Sequence, residues 1–178
     1  RSPPSPSVAS GGTAAPPRER TRPNMSADIT IRRADLTDMS DTLEWRNDQL
    51  TRQMFRDDSE VFPDDNEKWF RYAMKDDRRN IFISQFGDDK ICMVRFDEFE
   101  LSRFDVSINM NPSWRGKRLS KRVLADYIEF LRTFKTVELI TAEVKNINIA
   151  SKKIFIASGF VFVREDDEYC VYEKVVVS

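Results

Sequence analysis

The stretch Asn111-Pro112-Ser113-Trp114-Arg115-Gly116-Lys117-Arg118-Leu119-Ser120 lies between two runs of different hydrophobic period. Before it, residues 104–110 alternate as a strand does. After it, Leu119, Val123, Leu124, Tyr127, Ile128 and Leu131 fall on one face of a helix. A strand–loop–helix junction directs several backbone N–H groups and the positive end of the helix dipole at one point, which suits an anion. Arg115, Lys117, Arg118, Lys121 and Arg122 crowd five positive charges where they oppose that dipole. Either the turn is a solvated basic surface, or a bound diphosphate compensates it.

Working outward, the period switches repeatedly. Residues 29–33 read as a first strand, and 38–47 and 66–74 as helices separated by an acidic loop, 56–65. Three strands follow at 81–85, 90–96 and 104–110, the first pair joined through Gly87-Asp88-Asp89. Beyond the helix at 119–131 come a strand (137–144), a short helix (149–158) stopped by Gly159, and two closing strands (160–164 and 169–176). The order β-α-α-β-β-β-α-β-α-β-β predicts one layered α/β domain without internal repeats.

Residues 1–24 read differently. They hold six of the eight prolines and no aromatic residue, a composition that cannot bury enough apolar area to offset its ordering entropy. They are expected to form a disordered extension before a folded domain at 25–178, with Met25 reading as an initiator. The net charge of −1 argues against a nucleic-acid surface, and no apolar run is long enough for a bilayer span, so no membrane partner is expected. Cys92 and Cys170 form no C-x-x-C pair and read as reduced thiols, consistent with a cytoplasmic protein. The chain has no histidine, which removes histidine triads, histidine zinc sites and histidine bases together; no metal is expected.

A second stretch, residues 146–160 (NINIASKKIFIASGF), places Asn148 as a helix N-cap and Gly159 just past the helix end. Taken with the first stretch it resembles the GNAT superfamily of N-acetyltransferases. The superfamily's cofactor loop, [RQ]-x-x-G-x-[GA], corresponds to residues 115–120, where Arg115 matches while Arg118 and Ser120 stand for small residues. Its second signature, N-x-x-S-x-x-x-[YF]-x-x-x-G-F, is met by Asn148, Ser151, Phe155, Gly159 and Phe160.

The resemblance implies a GNAT fold, a mixed six- to seven-stranded sheet flanked by about four helices, and acetyl-CoA as acyl donor. It implies cofactor contacts from Asn109, Met110, Arg115, Gly116, Lys117, Arg118, Leu119, Ser120, Asn148, Ser151 and Phe155. It also implies base catalysis by a carboxylate on the fourth strand, for which Asp105 reads either as that base or as an exposed strand charge. Phe155 stands where many relatives carry an acidic tyrosine, and phenylalanine donates no proton. The donor is then Tyr169, Tyr172 or water, or none is needed.

The acceptor is read from Trp45-Arg46-Asn47 and Val94-Arg95-Phe96-Asp97, similar to a W-R-N…V-R-F-D pattern of acetyltransferases acting on nucleotide-linked amino sugars. On that reading Trp45, Arg46, Asn47 and Arg95 bind a small-molecule amine, with Trp45 or Trp69 stacking on a base or sugar face and Arg46 or Arg95 pairing with a diphosphate. The same residues equally suit core packing and local ion pairs. Two alternatives stay open: a protein N-terminal acetyltransferase of the ribosomal-protein type, drawn by the acidic 57–65 loop, and a non-catalytic acyl-CoA-binding module.

Overall fold

The computed structural model of the protein describes residues 29–117 and 120–177, with backbone only for 120–122. The expectations for residues 1–24, for Arg118 and Leu119, and for the Ser120 side chain lie outside the described residues.

The chain runs β1 (Ile29–Arg33), α1 (Met39–Asn47), α2 (Gln49–Met54), α3 (Pro63–Ala73), β2 (Arg79–Phe86), β3 (Asp89–Glu100), β4 (Arg103–Met110), α4 (Ser120–Arg132), β5 (Leu139–Lys145), α5 (Ile149–Ala157), β6 (Val161–Glu165) and β7 (Tyr169–Val175). The strands form one mixed sheet in the order β1-β2-β3-β4-β5-β7-β6. All neighbours are antiparallel except β4 and β5.

Seven strands agree with the expected architecture, but the described residues form five α-helices rather than four. The additional one, α2, is six residues long, too short to declare a period. Asp48 separates it from α1: its backbone leaves helical geometry and its carboxylate accepts from the Thr51 N–H at 3.0 Å. Helix α3 begins at Pro63, three residues before the periodic pattern, because proline is suited to the first helical turn.

Alternation along the strands divides the interior in two. Phe82, Cys92, Val94, Phe104 and Val106 face α4 and α5, packing with Tyr127, Leu131 and Phe155. Ile81, Ile83 and Met93 face the other way and pack with Trp45, Phe70 and Ala73 from α1 and α3. Trp45 is only 4% exposed, so it is a core residue and not the acceptor-stacking face expected from the sequence. Trp45→Ala should cost about 3–5 kcal/mol through the cavity it leaves, measured as a lower midpoint in thermal or denaturant unfolding. Among the described residues no helix is long and apolar enough to cross a membrane.

Candidate active site

Strands β4 and β5 pair over only three positions, Arg103↔Leu139, Phe104↔Ile140 and Asp105↔Thr141. Beyond Asp105 they part, while β4 stays paired to β3 as far as Met110. The β5-facing edge of β4 from Val106 to Met110 therefore has no strand partner, and its backbone groups are available to a ligand. A cavity of about 560 Å³ fills the gap. It is reached from the α1–α3 side by Asp105, Ser107, Thr141 and Glu143, and from the α5 side by Asn148, Ser151 and Phe155, so it passes through the sheet.

Asp105 stands where the strands separate. Partial burial raises the pKa of its carboxyl, and the nearby carboxylates of Asp97 and Glu143 raise it further. Asp97 lies directly opposite on β3, and Arg95 directly opposite Ser107. Like charges facing each other across strands oppose folding, so this arrangement is one that packing alone does not favour. Arg95 Nε lies 2.7 Å from Asp97 Oδ2, and the guanidinium sits 5.4 Å from the centre of the Trp69 ring.

The segment after α2 closes the cavity on one side. Arg56 pairs with Glu143 and lies 4.6 Å over the Tyr169 ring, and Lys145 donates to the Gln53 carbonyl at 3.1 Å. Of the two tyrosines considered as proton donors, Tyr169 lines the cavity. Tyr172, on the opposite face of β7, is buried in the core against Phe162.

At the mouth, Gly116 holds the left-handed conformation (φ 73°) with open space around its Cβ position, so the backbone angle is what calls for glycine there. Trp114 is buried against Phe86, and Lys117 stacks on its ring at 4.1 Å. The Arg115 side chain reaches back to the acceptor-side helices, 2.5 Å from Asp48 Oδ2 and bonded to the Thr51 hydroxyl. The loop is thereby tied to the start of α2, a link invisible in the sequence. On α5, Asn148 Oδ1 accepts from the Ser151 N–H at 3.0 Å, and Phe155 packs edge-on against Phe160.

On the α1–α3 side a second pocket of about 360 Å³ shares Phe55, Arg95 and Ser107 with the first. Arg46 lines it, stacked on Phe55 at 4.4 Å and donating to the Asp57 carbonyl. Trp69, not Trp45, supplies its indole face. Asn47 is not available to a ligand: its amide clamps Val61 in both directions, at 2.8 and 2.9 Å, and so fixes the loop before α3. Asn109 is buried, and its Nδ2 donates to the Thr42 carbonyl at 3.0 Å. Met110 packs against the main core.

Several solved structures that share this fold are acetyltransferases. A spermidine N-acetyltransferase of Vibrio cholerae in complex with CoA and spermine is 15% identical, with 84% of this chain and 96% of that one covered and a TM-score of 0.76. A ribosomal-protein-alanine N-acetyltransferase of Brucella melitensis is 16% identical, with 83% and 99% covered and a TM-score of 0.70. A Salmonella typhimurium protein whose structure holds its cofactor acetyl-CoA is 17% identical, with 83% and 94% covered and a TM-score of 0.67. At these identities the likeness is one of fold. No curated protein matches the sequence. Residues 28–161 match the acetyltransferase (GNAT) domain family, and the chain belongs to it. It is an acetyl-CoA-dependent N-acetyltransferase.

Proposed function

We propose that the protein acetylates the primary amine of a nucleotide-linked amino sugar, with Asp105 as general base at the β4–β5 gap. The observation that carries this reading is the carboxylate of Asp105, its pKa raised, facing a cavity at the point where the sheet opens. Acetyl-CoA supplies the acyl group as a thioester. Its extended, amide-bearing arm suits the unpaired β4 edge, and its diphosphate suits the turn at Gly116 and the start of α4.

Asp105 takes a proton from the acceptor's ammonium group, directly or through one water, leaving a nitrogen lone pair to attack the acyl carbon. The Asn111 N–H bonds to Ile91 on β3, so by alternation the Asn109 N–H also faces β3 and that of Met110 faces the open edge. The Met110 N–H is thus the candidate to meet the negative charge that builds on the acyl oxygen. Tyr169, rather than Tyr172, is the tyrosine that would give the departing sulfur its proton, because Phe155 has none to give. The proton that the new amide nitrogen sheds restores the phenol, directly or through water. A thiolate is a fair leaving group, so Tyr169→Phe should lower kcat by only about tenfold. Steady-state assays that leave acetyl-CoA affinity unchanged while kcat falls would support the role; unchanged kcat would remove it.

Arg46 and Arg95 remain from the sugar-nucleotide pattern as residues bordering the acceptor space, whereas Trp45 and Asn47 hold the fold. The ribosomal-protein-type alternative draws on one observation, the exposed Asp57, Asp58, Glu60, Asp64 and Asp65, of which Asp65 lines the pocket. Release of CoA thiol with UDP-linked amino sugars, N-terminal peptides and simple amines separates these readings. Turnover with the sugar nucleotide and competition by free UDP are expected. Turnover with peptides alone would replace the acceptor, and acetyl-CoA binding without any turnover would favour the non-catalytic module.

A further inference from the structure

Two polar atoms sealed from solvent without a hydrogen-bond partner border the same pocket: Arg46 Nη1 and Asn109 Oδ1. Buried polar atoms are nearly always paired in native interiors, so two orphans around one space mark missing partners there. Their chemistry is specific. Arg46 forms no ion pair among the described residues; its one hydrogen bond goes to a neutral carbonyl, Asp57 O. Burial also pulls its pKa down, against the upward pull of the Asp57 and Asp58 carboxylates. Arg95, by contrast, has its charge met by Asp97, whose Oδ2 lies 2.7 Å from Nε. Asn109, 2% exposed, has spent its amide N–H on Thr42 and offers a carbonyl. Trp69 adds a flat apolar wall.

We infer that this pocket holds an oxyanion of the acceptor, a phosphate or carboxylate remote from the amine, paired with Arg46 and held beside Trp69. The inference rests on the amine-acetylating reading of the neighbouring cavity. Because the two spaces meet at Phe55, Arg95 and Ser107, one molecule can lay its ammonium among Asp97, Asp105 and Glu143 and its anion against Arg46. The acceptor is then charged at both ends. Asn109 Oδ1 accepts from a hydroxyl or N–H of the same molecule, which a bare inorganic anion does not provide. A polyamine, cationic throughout, leaves Arg46 uncompensated and adds repulsion.

The test is calorimetric titration of the whole protein, saturated with CoA so that the diphosphate turn is filled, with pyrophosphate, UDP and glutarate. At least one oxyanion should bind, and Arg46→Gln should weaken it at least tenfold while the affinity for acetyl-CoA stays unchanged. The preferred probe identifies the source: pyrophosphate and UDP for a phosphate-bearing acceptor, glutarate for a carboxylate. No binding by any of the three, or equal binding to Arg46→Gln, overturns the inference. Hydrogen exchange carries the test if that variant fails to fold. The best-binding oxyanion should protect amides within residues 42–66 of the unmutated protein, and no protection there overturns it. Failure of acetyl-CoA itself to bind counts against the acetyltransferase site instead, a result the oxyanion titration reads separately.

Discussion

Asp105→Asn is expected to lower kcat/KM for the amine by about a hundredfold to ten-thousandfold, the usual contribution of a positioned general base. Three further results should accompany that loss. Acetyl-CoA affinity should hold, because Asp105 faces the acceptor side of the gap and not the basic turn. The acid limb of the pH–rate profile should vanish. In the unmutated enzyme, activity rises with pH as Asp105 loses its proton. That limb is shifted upward from the ordinary aspartate value, since partial burial and then the Asp97 and Glu143 charges raise the pKa. Stability at neutral pH should be unchanged or higher. A carboxyl whose folded-state pKa is raised weakens the fold once it ionises, so a neutral amide removes a repulsion. Unfolding midpoints beside pH–rate profiles check all three. A variant that keeps wild-type turnover would show that the base lies elsewhere, and one that loses turnover and stability together would make Asp105 structural.

The sequence disclosed the two loops beside the gap better than it disclosed what lines it. The two loops were readable because backbone geometry wrote them: Gly116 and Gly159 have φ of 73° and 85°, and Asn148 caps α5. The alternation of Asp105, Ser107 and Asn109 likewise survives into the sheet as one face. What was not readable depends on register and distance. Asp97 opposes Asp105 only because β3 and β4 pair as they do. Trp45-Arg46-Asn47 looks like one binding segment, yet successive helical residues point about 100° apart. One therefore enters the core, one lines the pocket and one clamps the loop. The tie from Arg115 to Asp48 joins residues 67 apart, and nothing in either neighbourhood marks it.

Asp38 gave no signal at all among the many acidic residues, and its replacement should have a large effect on folding. The carboxylate is fully buried. It accepts from Arg32 through both oxygens at 2.7 Å, from the Asp35 N–H at 2.9 Å, and lies 2.9 Å from Lys90 Nζ. Burial works to raise its pKa, but these bonds prevail and lower it from 3.8 to about 2. A depressed carboxylate pKa adds stability that is complete above the unfolded value, near pH 4, and is lost as pH falls through about 2. At 1.36 kcal/mol per pH unit that contribution is about 2 kcal/mol. Asp38→Asn keeps the shape but takes from Arg32 its bidentate partner, leaving Asp35 at 3.6 Å, and leaves Lys90 with Asp41 alone at 2.7 Å. It should cost about 2–4 kcal/mol at neutral pH and flatten the acid arm of the stability curve. The consequence reaches the active site along a short path. The Asp38 carbonyl accepts from the Thr42 hydroxyl at 2.9 Å, and the Thr42 carbonyl accepts from Asn109 at 3.0 Å. Loosening the start of α1 thus disturbs the wall of the acceptor pocket before it disturbs the β4–β5 gap. Below its unfolding temperature the variant should show a raised KM for the amine with little change in acetyl-CoA affinity. Equal losses in both would mean that α1 is coupled to the whole sheet rather than to the pocket alone.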